Sequence, residues 1–127
     1  MPAVEHLPKN KTATNLSDRF GENLAVKYLI DHGYRIIARN FRLKYGGIDI
    51  IAVKERETVF FEVKTRWSKK FGRPEEAVGS RKLNKIKRLA EYFAAGHPKL
   101  PQKLSIKVIA LEIREGYPKS LRIITVD

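Results

Sequence analysis

Two apolar segments separated by four polar residues constrain the fold of this chain more than any other feature. Ile48–Val53 and Thr58–Thr65 are rich in β-branched and aromatic residues, the composition of strands that pack on both sides. Lys54-Glu55-Arg56-Glu57 between them is polar and short enough for a hairpin connection. Three charged residues, Asp49, Glu62 and Lys64, stand inside these apolar runs. Side chains alternate across a strand, so Glu62 and Lys64 share one face while Val63 takes the other. Hairpin pairing brings Asp49 opposite Glu62. Charges beside Phe60 and Phe61 are costly unless they are paired or liganded.

The flanking sequence supplies the other elements. Leu16–His32 reads as a helix with Ser17 as its N-cap and Gly33 as its C-terminal cap. Its apolar face is Phe20, Leu24 and Tyr28, with Ala25 or Leu29. Tyr34–Phe41 reads as a strand, followed by a turn at Tyr45-Gly46-Gly47. With Ile48–Val53 and Thr58–Thr65 it completes an antiparallel meander. Trp67–Gly79 is mixed, with one helical turn at Glu75–Val78. Ser80 is expected to cap a second long helix, Arg81–Ala95, ended by Gly96 and Pro98. Leu83, Ile86, Ala90 and Phe93 are its apolar side. Lys103–Ile113 and Leu121–Val126 read as strands around a turn at Gly116-Tyr117-Pro118. The order α-β-β-β-α-β-β predicts an α/β fold, a central mixed sheet flanked by helices. Residues 1–15 are polar and contain two prolines, which predicts a flexible N-terminal arm ahead of a single domain over 16–127.

Composition narrows the chemistry. The 127 residues include no cysteine, which excludes disulfides, zinc–thiolate and iron–sulfur centres, and a Cys nucleophile. The apolar runs are far shorter than the roughly 18–20 residues of a membrane span. Residues 1–16 have no apolar core of the kind a secretory signal needs. A cytoplasmic protein that does not enter a membrane is expected. His6, His32 and His97 are scattered without ligand spacing. No Gly-rich nucleotide loop of the Walker type is present.

The net charge is +12, on a chain that is 43% hydrophobic and therefore able to fold. Residues 64–103 hold 12 Lys/Arg against 3 Asp/Glu, which is +9 of that total. A concentrated basic segment suits a polyanion such as DNA, because each neutralised phosphate releases condensed counterions. It equally describes a solvated helix face. Arg66, Lys69, Lys70 and Arg73 follow the third strand, and Arg81, Lys82, Lys85 and Arg88 crowd the second helix opposite its apolar side. Together they are the expected nucleic-acid-binding residues. Trp67 is a candidate to stack on a base or wedge into a junction, against the commoner fate of packing on the core. Tyr45 likewise either contacts substrate or shapes its turn.

The acidic pair has two readings on spacing alone. Asp49 and Glu62 offer the oxygen ligands that Mg²⁺ prefers, with Lys64 beside them to hold a water or offset charge on a phosphoryl group. The alternative is a salt-bridge cluster on a solvated sheet face.

Ile48-Asp49 followed by Phe61-Glu62-Val63-Lys64-Thr65 resembles the PD-(D/E)xK nuclease motif on a restriction-endonuclease-like core. The likeness extends to Phe20-Gly21-Glu22-Asn23-Leu24-Ala25, Gly33-Tyr34, Ala38-Arg39-Asn40-Phe41-Arg42, Ile48–Ala52, Phe61–Arg66 and Phe71–Val78. In these segments the chain resembles the YraN-like family, small bacterial proteins regarded as endonucleases related to archaeal Holliday-junction resolvases. The resemblance runs from about Phe20 to Phe93. It implies that Asp49 and Glu62 bind Mg²⁺ or Mn²⁺, that Lys64 is the catalytic lysine, and that Glu22 adds a carboxylate from the first helix. It implies double-stranded or branched DNA as the substrate. Small resolvases resemble dimers, since one junction offers two sites, which makes a homodimer a further expectation. One position departs: the family has Gly-Glu-Ile-Asp where this chain has Gly46-Gly47-Ile48-Asp49. Gly47 motivates the alternative of a non-catalytic nucleic-acid-binding module on a nuclease fold.

Overall fold

The computed structural model describes residues 16–67 and 78–127. The expected arm (1–15), the turn at Glu75–Val78 except for Val78, and Lys69, Lys70 and Arg73 lie outside the described residues. The elements are α1 (Leu16–Asp31), β1 (Arg35–Leu43), β2 (Gly46–Lys54), β3 (Glu57–Arg66), α2 (Ser80–Ala95), β4 (Lys103–Arg114) and β5 (Tyr117–Thr125). The strands form one sheet in the order β1-β2-β3-β4-β5. β3 and β4 pair in parallel across the α2 connection, and every other neighbouring pair is antiparallel. This is the expected mixed sheet flanked by helices, with the expected element order. No helix among the described residues is long and apolar enough to cross a membrane.

The two helices cover opposite faces of the sheet. Ala25 and Leu29 of α1 join Ile50, Ala52, Val59, Phe61, Ile109, Leu111 and Ile113 in one buried layer. Ile86, Leu89, Ala90 and Phe93 of α2 join Ile48, Ile51, Phe60 and Ile106 in the other. The α1 contact differs from expectation. Its most buried line is Gly21, Ala25 and Leu29, spaced four apart, while Phe20 is exposed and Leu24 and Tyr28 are half-buried. Small residues along that line let the helix lie close to the strands. A Cβ on Gly21 would overlap Thr65 Oγ1, so only glycine permits this approach.

The caps and turns differ in detail. Gly33 ends α1 as expected, at φ +90°. Its N–H donates to Ile30 O at 3.1 Å and that of Tyr34 to Leu29 O at 2.9 Å, the paired bonds of a Schellman motif. Ser17 lies within α1 rather than ahead of its first residue. Gly79, with no side-chain cap bond, occupies the N-cap of α2, and Ser80 is the first helical residue. The β1–β2 turn is Lys44-Tyr45, because Gly46 and Gly47 already pair with Leu43 and Arg42. The β4–β5 turn is Glu115-Gly116, both at positive φ, as a tight two-residue hairpin demands. Tyr117 and Pro118 therefore belong to β5.

Candidate active site

β2 and β3 are paired from Lys54↔Glu57 down to Ile50↔Phe61, and the ladder stops there. One residue further, strict alternation breaks. Ile50 packs in the α1 layer, yet Ile48, two residues away, packs in the α2 layer. β2 stays paired to β1 through Ile48 and Gly47, so the β1–β2 ribbon peels away from β3 at Asp49. The Asp49 carboxylate fills the gap in the ladder. Its Oδ2 accepts the Val63 N–H at 2.8 Å. A backbone donor that would otherwise lose its partner at the fork is thereby satisfied.

Glu62 and Lys64 follow Phe60 on the α2 side of β3, as alternation requires. Lys64 Nζ lies 3.8 Å from Glu62 Oε2. A second ammonium is closer: Lys82 Nζ of α2 lies 2.6 Å from the same oxygen. The sequence pattern places Lys82 in the outer basic row, but it precedes Ile86 by four residues and so shares the inward side of α2. That spacing is the sequence signal that could have identified it. Arg81, Lys85 and Arg88 are exposed. Arg66, at the end of β3, is half-buried.

Glu22 reaches the fork from the other layer. The Gly21–Thr65 approach seats this turn of α1 against β3. Glu22 Oε1 is 4.0 Å from Arg39 Nη2, which donates to Asn23 Oδ1 at 2.7 Å. Asp49 registers the two neighbouring carboxylates. Its carboxyl is pushed up to about 7, first by burial, then by the negative charges of Glu62 and Glu22; the Val63 N–H and the Arg42 guanidinium pull the other way. The structure thus brings Asp49, Glu62, Lys64 and Glu22 to one end of the sheet.

Two arginines on β1 had no role in the sequence reading beyond the Ala38–Arg42 segment that carried the resemblance. Arg42 pairs with Gly47 across the β1–β2 ladder. A Cβ on Gly47 would overlap Arg42 Nη1 and stand 2.7 Å from its Cδ. The Arg42 side chain thus occupies the space that a side chain at 47 would need. Its Nε and that of Arg39 are buried with no hydrogen-bond partner.

The donors suit a hard divalent cation, because the oxygens of Asp49 and Glu62 are those that Mg²⁺ and Mn²⁺ take. Such a charge would relieve the Glu62 and Glu22 repulsion that adds to burial in raising Asp49. Among the described residues, no three His, Cys, Asp or Glu side chains are gathered closely enough to enclose an ion.

Residues 21–111 match the model of the uncharacterised protein family UPF0102. The chain belongs to this family. A UPF0102 protein of Syntrophomonas wolfei is 40% identical over 105 residues, covering 83% of this chain and 91% of that one. A UPF0102 protein of Caldicellulosiruptor bescii is 58% identical over 79 residues, covering 62% of this chain and 66% of that one. The family match thus encloses all four acidic and lysine positions of the fork. Among solved structures, a repair endonuclease from Pyrococcus abyssi superposes with a TM-score of 0.44 at 18% identity, covering 74% of this chain and 37% of that one. Likeness at that level assigns neither activity nor substrate.

Proposed function

We propose that this protein is a Mg²⁺- or Mn²⁺-dependent endonuclease that hydrolyses phosphodiesters in DNA, at double-stranded or branched substrates, in the cytoplasm. The observation that carries the reading is the fork itself, where buried Asp49 faces the negative charges of Glu62 and Glu22 and its carboxyl is raised to about 7, first by burial and then by that repulsion.

In this reading Asp49 and Glu62 hold the ion, and Glu22 adds charge from α1. The bound ion would supply Lewis-acid activation of water and neutralise the phosphoryl oxygens. Lys64, whose Nζ is 3.8 Å from Glu62, orients the attacking water and offsets charge growing on the phosphoryl group. Hydrolysis places the water's hydroxyl on phosphorus, breaks one P–O bond and returns a proton to the departing oxygen. Acidic residues repel DNA, so the cations Arg66, Arg81, Lys85 and Arg88, together with Lys69, Lys70 and Arg73, steer the phosphates toward the fork. Lys82 holds Glu62 in place and balances its charge before the ion enters.

A second reading rests on Arg42. Its guanidinium lies where a side chain at position 47 would be, and a cation there offsets Asp49 without any metal. A DNA-binding module that does not cut would look like this. Incubation with linear, flapped and four-way DNA, with and without Mg²⁺, separates the two. The endonuclease reading expects Mg²⁺-dependent cleavage that Glu62→Ala abolishes. Salt-sensitive binding without cleavage would establish the module instead, and cleavage indifferent to Glu62→Ala would overturn the assignment of the site.

A further inference from the structure

Phe20 and Trp67 are large aromatic residues that the core does not absorb. They retain 40% and 43% of their surface, although aromatic rings at a helix–strand joint are ordinarily used for packing. Their ring centres are 6.1 Å apart with the planes tilted by 34°. Phe20 precedes Gly21, and Trp67 follows two residues after Thr65. The close Gly21–Thr65 contact therefore sets both rings on the lip where α1 meets the end of β3. Glu22 of the fork lies two residues after Phe20, and Lys64 lies three residues before Trp67 on the same strand end. Exposed Arg19 and half-buried Arg66 flank the rings along the chain.

We propose that Phe20 and Trp67 form a stacking site for an unpaired DNA base next to the acidic fork. The inference rests on the endonuclease reading and narrows its substrate. A nucleotide offers both an apolar π-face and a phosphate, which matches two rings each preceded in the chain by an arginine; an apolar peptide would not gain from the cations. Bases inside a duplex are stacked on one another and closed to a side-chain ring. Only a base already unpaired, at a flap, gap or strand end, reaches this lip without the cost of unstacking. The favoured substrate is therefore DNA with a single-stranded segment adjoining the phosphate at the fork, rather than fully paired duplex.

Trp67 is the chain's one tryptophan, so its fluorescence reports this site alone. The test uses the full chain in EDTA, with binding followed independently by anisotropy of labelled oligonucleotides. Three probes are compared: a blunt duplex, the same duplex with a single-stranded overhang, and that overhang with abasic sites beside the duplex. The overhang is expected to quench Trp67, while the blunt and abasic probes leave its emission unchanged. Phe20→Leu and Trp67→Leu, which keep apolar bulk and lose the ring, are expected to weaken binding of the overhang about ten-fold or more and that of blunt duplex little. Overhang binding without quenching, equal quenching by the abasic probe, or unchanged affinity in both variants would overturn the stacking site and leave the endonuclease reading standing. Absence of binding to any probe, in EDTA and with Ca²⁺ alike, would overturn both.

Discussion

Lys82 Nζ donates a hydrogen bond to Glu62 Oε2 across 2.6 Å, tying α2 to β3 on the side of the sheet that carries Lys64. Glu62 is a nearly buried carboxylate, and such a group is costly unless its charge is met. Lys64 meets it at 3.8 Å and Lys82 more closely. The helix that follows the candidate catalytic strand thus supplies part of that strand's electrostatic balance.

Replacement of Lys82 by Met should destabilise the metal-free protein by about 1–2 kcal/mol, a modest figure because the Lys82 side chain is itself 42% exposed. Added Mn²⁺ should restore more stability to the variant than to the parent, since Glu62 then lacks its nearest internal cation. Urea unfolding with EDTA and with Mn²⁺ measures both effects. Equal responses to Mn²⁺ would show that Lys82 and the ion do not share Glu62.

Asp49 makes stability depend on pH in a direction unusual for an acid. Its carboxyl is raised from 3.8 to about 7, so between these values the folded protein holds a proton that the unfolded chain has released. Stability from this group is full below about pH 4 and is lost as pH rises toward 7. Asp49→Asn keeps an acceptor for Val63 N–H and removes the titration. In EDTA the variant should match the parent near pH 4 and exceed it by a few kcal/mol at pH 8. Comparing variant with parent at each pH cancels the general effect of the +12 charge. A constant difference across the range would refute the buried-carboxyl account.

Gly21→Ala should lower stability by about 1–3 kcal/mol, because its Cβ overlaps Thr65 and α1 must lift from β3. Thr65→Ala in the same chain should recover part of that loss. A thermal-melt cycle over the four proteins measures the coupling, and simple additivity would mean that the helix seats itself elsewhere.

Gly47→Ala should cost about 1 kcal/mol in the parent and much less when Arg42 is also Ala, since the clash is with the Arg42 side chain. The same double-mutant cycle, read by urea unfolding, tests whether Arg42 occupies the space above Gly47 in solution. Equal cost in both backgrounds would place Arg42 elsewhere.

Local pattern determined much of this protein. Alternation along Thr58–Thr65 was enough to put Glu62 and Lys64 on one face, and the short polar link 54–57 was enough to pair β2 with β3. Helix extents and the Gly33 cap followed from 3.6-residue spacing and glycine's access to positive φ. The carboxylate–lysine set was legible because charges inside apolar strands stand out against their surroundings. What the tertiary structure decided depends on contacts between distant segments, which no local period encodes. The fork at Asp49 exists because β2 follows β1 rather than β3 at its end, a competition between two ladders. Spacing from Ile86 puts Lys82 on the inner side of α2, but only the packing of α2 against β3 decides that it meets Glu62. Gly21 and Gly47 look alike in sequence as small residues, yet one admits a helix to Thr65 and the other admits the side chain of Arg42. Sequence spacing identified the charged residues, and only the packing of layers determined which of them meet.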